Sequence, residues 1–492
     1  MISPLLPTFG LFGSLFMRSR TRVGLLLAVS LCRACVTLPD YQRPDLAVAS
    51  SWSTDAPGGP DSVPGRAWWT LLEDPAVDRL VDATLAGNPS LIESIARVDE
   101  ARASLGIERS ARLPAINVNA TAGRGSQRVS SVDDASVALA SSASAGLSLS
   151  WELDLFGRVR SSVESAKRRL DARDAEAQGV RLKLTAEVAT TVLGLRACQY
   201  ALAIQREEVA SRETVLQLTR GSVRAGSVAR SEEARAQSAL GLSRTTTAAL
   251  KESCDRQVNA ASALSGQSPA QVRELISAAP ASWSASQTLH MATPPETRLA
   301  LPATVLLRHP SVVAAERELA AAWSDVGAAN AARLPRLDLG AALTGQWLRL
   351  GGLTFDYTTR LLSVGAAASL FDGGRGKAAV GAAEARYRAA AARLALAVQG
   401  GWRDVEDALA AIDSSRLRLA SSSASVDASR RLLGAAEAQW RAGSISLFEL
   451  EDARRLFSQS RSNEIAAARD RGQAWVALIR ASGSVDTLAE HP

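Results

Sequence analysis

Histidine is almost absent from this 492-residue chain, with three in all. Cysteine occurs four times, and aromatic residues make up only 4%. The histidines and cysteines show no metal-ligand spacing, which argues against a His/Cys metal site. No triad arrangement, phosphate-binding glycine loop or isolated apolar-flanked carboxylate pair occurs, so the sequence does not read as an enzyme. Beyond the N-terminal region no apolar run approaches the roughly 18 residues that a spanning helix needs. A strong excess of positive charge is missing too. The formal net charge is +6, but residues 1–34 carry Arg18, Arg20, Arg22 and Arg33 and no acid, so removing their four charges leaves +2. That weakens any nucleic-acid reading. What the chain does have is 47% hydrophobic and 22% charged residues, which excludes wholesale disorder. Its abundant alanine and leucine favour long helices with thin side chains.

Arg18, Arg20 and Arg22 precede the apolar run Val23 to Leu31. A positive segment followed by nine apolar residues is the pattern of a secretory signal. Met17 begins it, and residues 1–16 are read as an extension ahead of the true start. Ala34 before Cys35 resembles the cleavage box of bacterial lipoproteins, in which that cysteine is acylated, with palmitate among the acyl chains. Cys32 and Arg33 depart from the usual box. Simple cleavage without a lipid is the alternative.

The chain then repeats itself. Asn88-Pro89-Ser90-Leu91 returns as His309-Pro310-Ser311-Val312, and Ala111-Arg112-Leu113-Pro114 as Ala332-Arg333-Leu334-Pro335. Leu155-Phe156-Gly157-Arg158 is echoed by Leu370-Phe371-Asp372-Gly373-Gly374-Arg375, and Arg224-Ala225-Gly226-Ser227 by Arg441-Ala442-Gly443-Ser444. Four landmarks in one order imply duplication of a unit of roughly 200 residues. In each unit a helix capped by the residue before Pro89 or Pro310 gives way to period-2 alternation. Gly87 is expected as a C′ residue closing the short helix before it. Ile116 to Thr121 and Gly146 to Trp151 alternate as strands with one face in lipid and one in water would, with a polar stretch, 123–142, between them. Leu337 to Leu339 and Leu362 to Ala366 do the same in the second unit. Helices over about 158–222 and 375–441 follow, each near 95 Å long. Each turns at its Arg-Ala-Gly-Ser element and returns over about 230–264 and 446–482.

Four strands per chain cannot close a barrel, and an open sheet edge is not tolerated in hydrocarbon. Three chains would supply twelve strands; two would supply eight, with little lumen. A water-soluble sheet capped by coiled coil is the competing reading. The signal segment and the small residues on the outward face favour the membrane.

These residues resemble the outer membrane factor (TolC-like) family, in its OprM/NodT-type efflux lipoprotein branch. Pro39 to Pro44 is similar to that branch's mature N-terminus. Trp151-Glu152-Leu153-Asp154-Leu155-Phe156-Gly157-Arg158 resembles its strand-to-helix signature. Arg308-His309-Pro310 resembles the start of its second repeat, and Trp440-Arg441-Ala442-Gly443 with Glu451-Asp452-Ala453-Arg454 its hairpin motif. The resemblance spans roughly 35–485. It implies an α+β membrane protein with two internal repeats, each a two-strand β-hairpin plus long antiparallel helices. A homotrimer would form a 12-strand β-barrel continuous with a periplasmic α-helical barrel. A mixed equatorial belt would come from the N- and C-terminal segments and the mid-chain linker. The expected organisation is signal peptide 1–34, N-terminal equatorial segment 35–87, first repeat 88–264, linker 265–300, second repeat 301–485 and tail 486–492.

The resemblance further implies an outer membrane exit duct of a tripartite efflux system, extending into the periplasm of a Gram-negative bacterium. Its partners would be a periplasmic adaptor (membrane fusion) protein, an inner-membrane pump of resistance–nodulation–division type and outer membrane lipid. It would need no cofactor beyond the lipid on Cys35. Alternatives are a duct for type I protein secretion and a non-pore periplasmic coiled-coil scaffold. By position, Phe448 matches a hydrophobic gate ring, Glu449 and Asp452 acidic rings, and Arg455 a neighbouring basic residue. Phe448, Asp452 and Ser444 fall four apart and would share a helical face. A solvated helix face carrying one coiled-coil knob is the bland alternative for them. Glu232 matches an acid that bridges to the neighbouring hairpin, although the usual basic position falls on Ile445. Arg224, Gly226, Arg441 and Gly443 mark the tips that would meet the adaptor. Cys198 and Cys254 lie 28 residues on either side of Gly226 and would face each other. The oxidising periplasm allows a disulfide there, and two buried thiols fit the spacing as well.

Overall fold

The computed structural model describes residues 41–45, 50–53, 67–130, 135–277, 284–285, 287–296, 302–350 and 352–483. The signal segment, Cys35 and the C-terminal tail lie outside the described residues. A 3₁₀ turn at Trp68–Leu72 precedes α1 (Pro75–Gly87), α2 (Pro89–Ser110), β1 (Ala115–Ser130), β2 (Ala135–Leu153), α3 (Arg158–Arg224), α4 (Arg230–Ser265) and α5 (Pro269–Ser277). The second half repeats the order with α6 (Pro302–Arg308), α7 (Pro310–Ala331), β3 (Arg336–Leu350), β4 (Leu353–Ala367), α8 (Arg375–Arg441) and α9 (Leu447–Ala481). Two compact units emerge. One gathers residues Ala103–Lys167 and Ala320–Arg388; the other holds Pro44–Arg102, Arg168–Leu319 and Ala389–Pro492.

The first unit is an antiparallel four-stranded sheet in the order β1-β2-β3-β4. The repeats meet at its centre, where Ser150 pairs with Gly340 and Leu147 with Leu343. Alternation gives the sheet two different faces. Asn117, Asn119, Thr121, Ser144, Ser148, Thr344, Gln346 and Thr359 share one. There the Thr121 and Ser144 hydroxyls lie 2.7 Å apart, and Tyr357 Oη donates to Gln346 Oε1 at 2.6 Å. Ile116, Val118, Leu147, Leu149, Leu343, Trp347, Leu362 and Val364 share the other. Most of these apolar side chains are strongly exposed, Leu362 at 82% and Val118 at 76%.

The strands outrun the expected ones. The stretch 123–142, expected as a polar connection, continues the ladder from Gly123↔Ser142 to Ser130↔Ala135. Backbone pairing needs no apolar side chain, so a hairpin extends past the part whose alternation marks it. At the helix-proximal end, Asp154 accepts from Val159 N and Arg160 N at 3.0 and 2.7 Å, opening α3. Asp372 accepts from Gly374 N and Gly376 N at 2.9 and 2.7 Å, opening α8. Those two backbone donors hold the Asp372 carboxyl below the usual range, the Gly376 N–H foremost. These two aspartates explain why the strand-to-helix signature appears twice.

The core of the second unit joins chain segments far apart in sequence. Trp68, Leu72, Val77 and Leu80 pack with Val192 and Leu193 of α3, Val258 of α4, Val272 and Ile276 of α5, and Trp475, Val476 and Ile479 of α9. The N-terminal segment, the linker and the C-terminal helix thus share one core. Asp74 caps α1 by accepting from Ala76 N at 2.9 Å and also receives the Arg196 guanidinium at 2.9 and 3.0 Å. Arg196 in turn donates to the Ile276 carbonyl at 2.5 Å. Farther along, the linker is held by Tyr200 Oη to the His290 carbonyl, Ala285 N to Glu207, and buried Arg461 to the Gln287 carbonyl.

Asn88 caps α2, accepting from Ser90 N at 2.9 Å. Gly87 is not the left-handed C′ residue its position suggests. The helix ends on Asn88 in extended backbone, and Gly87 has no positive φ. Pro89 dictates this, since it disfavours helical backbone in the residue before it.

Candidate functional site at the hairpin tips

α3 and α4 form one long hairpin, α8 and α9 the other. Their turns are built alike. Gly226 sits at φ +74° and Gly443 at φ +73°. Gly226 N bonds the Val223 carbonyl and Ser227 N that of Ser222, both at 3.0 Å; Gly443 N bonds that of Trp440 and Ser444 N that of Gln439, both at 2.9 Å. This pair of hydrogen bonds closes a helix on a left-handed residue, a conformation only glycine adopts without strain. The Ser227 and Ser444 hydroxyls add bonds to the same Ser222 and Gln439 carbonyls at 2.9 and 2.8 Å. Arg224 and Arg441 end their helices beside these turns.

After Gly443 the chain re-enters helix through a capping box. Ser446 Oγ accepts from Glu449 N at 3.3 Å, and Glu449 Oε2 accepts from Ser446 N at 2.7 Å. The Ser446 backbone N–H, then its hydroxyl, hold the Glu449 carboxyl below its ordinary range. From there α9 carries two stripes. Leu450, Ala453 and Phe457 are buried, the first two against Ala436 of α8. Phe448, Asp452 and Arg455 lie at spacings of four and three, which puts them on one face. Asp452 and Arg455 form an ion pair with side chains 70% and 67% exposed. Ser444 does not share that face: it lies in the turn, ahead of the helix.

Glu232 pairs with Arg235 of its own helix at 3.2 Å rather than with the other hairpin. Near the tip a polar contact joins the two hairpins. Glu451 accepts from Ser211 of α3 at 3.3 Å and pairs with Arg454 at 2.9 Å; Arg454 also lies 3.9 Å from Glu437 of α8. Ser211, Glu451 and Arg454 line a groove of about 520 Å³ with Glu207, Arg212 and Phe457. Sequence reasoning assigned Glu451 and Arg454 no role. Their signal was phase, for they flank the buried stripe of Leu450, Ala453 and Phe457.

Partway up the first hairpin, Cys198 and Cys254 are joined in a disulfide with Cα atoms 5.7 Å apart. Arg220–Glu233 at 3.0 Å and Arg244–Glu213 at 2.7 Å bind the same two helices nearer the tip. The second hairpin has no cysteine; Arg418–Asp470 at 2.7 Å and Arg454–Glu437 link its helices. No group of three or more His, Cys, Asp and Glu side chains suited to a metal occurs among the described residues. No described helix is long and apolar enough to cross a membrane.

The family model for the outer membrane efflux protein matches this chain twice, over residues 80–267 and 301–484. Outer membrane protein OprJ of Pseudomonas aeruginosa is 33% identical over 466 residues, covering 92% of this chain and 93% of that protein. The pyoverdine export outer membrane protein OpmQ of Pseudomonas putida is 29% identical, covering 93% and 96%. The open-state outer membrane channel MtrE of Neisseria gonorrhoeae superposes with a TM-score of 0.77 at 26% identity, covering 91% of this chain and 98% of that one.

Proposed function

Because the chain belongs to the outer membrane efflux protein family, we propose that its second hairpin tip is the resting gate of the duct. The protein is an outer membrane efflux channel of the OprM/NodT type, a trimer that works with an adaptor and an inner-membrane pump. Three copies bring twelve strands, enough to close a sheet that one copy leaves open at β1 and β4. Its apolar face then meets lipid and its Ser, Thr, Asn and Gln face lines the lumen.

One observation carries the gate reading. Phe448, Asp452 and Arg455 form a stripe opposite the stripe that α9 buries in its own chain. Repeated about a threefold axis, Phe448 supplies an apolar constriction and Asp452 a ring of negative charge. The first gates by dewetting and the second favours cations. Glu449 contributes less directly, since its carboxylate is engaged by Ser446. The duct carries out no catalysis and needs no cofactor; the pump supplies the energy. Its cargo is small molecules, in line with a relative named for pyoverdine export, and its pump is of resistance–nodulation–division type. The tips bearing Arg224, Gly226, Arg441 and Gly443 meet the adaptor. Acylated Cys35 tethers the N-terminus, and mass spectrometry of the N-terminal peptide is expected to find diacylglycerol and palmitate there.

The test is single-channel conductance of Asp452→Ala in planar bilayers. The Asp452–Arg455 pair is exposed and contributes only about 0–1 kcal/mol, so the fold tolerates its loss. Conductance rises if Asp452 belongs to the gate. An unchanged conductance, with the trimer intact on unheated gels, removes the assignment.

A further inference from the structure

Four arginines in and beside the sheet divide by position. At its helix-proximal end Arg336 pairs with Asp338 at 2.8 Å, and Arg158 with Glu152 at 2.7 Å. Toward the hairpin turns, Arg124 of β1 and Arg349 of β3 have no ion pair or hydrogen-bond partner among the described residues. Both are exposed and both lie on the apolar face. Register places them in one row across the sheet, Arg124↔Ser141↔Arg349↔Thr354. Two strand spacings separate them, roughly 10 Å. The next row toward the helices is Ala122↔Ala143↔Trp347↔Asp356, and farther down Leu147, Leu343, Leu149 and Leu362 continue the apolar band, with Arg360 beside Leu343; on the outer side of the arginine row the face carries Ser126 and Leu139. An aromatic ring followed at once by cations marks the edge of the hydrocarbon on a membrane strand.

In an outer membrane channel the hairpin turns face outward and the helices face the periplasm. The Arg124–Arg349 row therefore lies at the outer leaflet, on the lipid side. We propose that Arg124 and Arg349 form a binding site for the phosphate groups of the outer-leaflet glycolipid, with Trp347 packing beside its acyl chains. Guanidinium groups suit this role because their planar donors engage phosphate oxygens in pairs. A headgroup carrying phosphates on a disaccharide spans about the distance between the two residues. Asp356 is the one acid on this face among residues whose side chains are described, and it sits one row inward. Two cations against one carboxylate leave the rim of each protomer positive. Arg360 shares the face but lies six residues along β4 from that row, about 20 Å away, and is not part of it.

The site rests on the outer-membrane reading, and its test separates the two. Full-length trimers in detergent are titrated with bisphosphorylated lipid A, dephosphorylated lipid A and phosphatidylglycerol. Wild type and Arg360→Gln should bind the bisphosphorylated form about tenfold more tightly than either other lipid, and Arg124→Gln/Arg349→Gln should lose that preference. The proposal is overturned if the double variant keeps the preference, if phosphatidylglycerol binds equally well, or if Arg360→Gln is equally impaired. Conductance and unheated-gel mobility are recorded on the same samples. A wild type lacking both sinks the duct reading itself, whereas intact channels without lipid preference sink only the site.

Discussion

The disulfide gives the sharpest quantitative expectation. Cys198 and Cys254 are 56 residues apart in sequence and close a loop centred on Gly226. At 1.5 Å per residue the bridge stands about 42 Å from the tip. Cross-linking a loop of that length removes roughly 14 cal/mol/K of chain entropy from the opened state, or about 4 kcal/mol at 25 °C. Opening of the 198–254 segment in Cys198→Ser/Cys254→Ser should then be favoured by up to about three decades, at 1.4 kcal/mol per decade. Amide hydrogen exchange on the intact trimer reads this directly. Protection should fall across α3 and α4 between the former cysteines and stay unchanged in α8 and α9, which serve as the internal reference. Dithiothreitol applied to wild type should reproduce the pattern, and applied to the double variant should change nothing. Exchange that is identical in wild type and variant would refute the reasoning, as would two alkylatable thiols in denatured, unreduced wild type.

Three other outcomes follow from the geometry. Asp74→Ala leaves the nearly buried Arg196 without its carboxylate and uncaps α1; a loss of about 3–5 kcal/mol is expected in denaturant unfolding, with Asp74→Ala/Arg196→Met recovering much of it. Gly443→Ala meets no atom within 4 Å of the new methyl, so its cost is the left-handed backbone alone, about 1–2 kcal/mol, and Gly443→Asn should cost less; calorimetry finding alanine neutral would contradict this. The depressed Glu449 carboxyl stabilises the start of α9 above the ordinary value of 4.5, and that stabilisation is lost as pH falls through the lower folded-state value. Exchange protection over 447–452 should therefore drop on acidification in wild type, while Glu449→Gln should show no such step.

Most element boundaries were visible because punctuation marks them chemically. Pro89 and Pro310 open helices, Gly226 and Gly443 close them, and the helices over 158–224 and 375–441 end within about two residues of expectation. Strand ends were harder. Apolar alternation is what marks a strand in the sequence, and it is broken by the small and polar residues Ala143, Ser142, Ser141, Gly125 and Ser126, although the backbone ladder runs on through them. At the tip, family position alone singles out Phe448 and Asp452, since nothing local distinguishes them from a solvated face. Glu449 matches a ring position by family, and Ser446-x-x-Glu449 is also a capping-box pattern legible without any structure. Glu451 could not have been found that way, because its partner Ser211 lies 240 residues upstream and only packing of the hairpins joins them.

The two repeats differ in a way that follows from what each feature must satisfy. A helix that reverses on five residues leaves carbonyls to bond and needs one left-handed residue, so both tips use Arg-Ala-Gly-Ser, the same pair of backbone bonds and the same serine hydroxyl. A strand that runs into a helix leaves free N–H groups, so α3 and α8 each open on an aspartate. Cross-links between antiparallel helices have no such requirement. Any pair that spans the gap will serve, so one hairpin carries Cys198–Cys254 with Arg244–Glu213, and the other carries Arg418–Asp470 with Arg454–Glu437. The first link is covalent and indifferent to salt; the exposed Arg244–Glu213 and Arg418–Asp470 pairs weaken as ionic strength rises. Salt should thus loosen the second hairpin more than the first, and only while the disulfide is intact: after reduction, the two should respond alike in exchange measurements between 0.05 and 1 M salt, roughly 14 to 3 Å of Debye length.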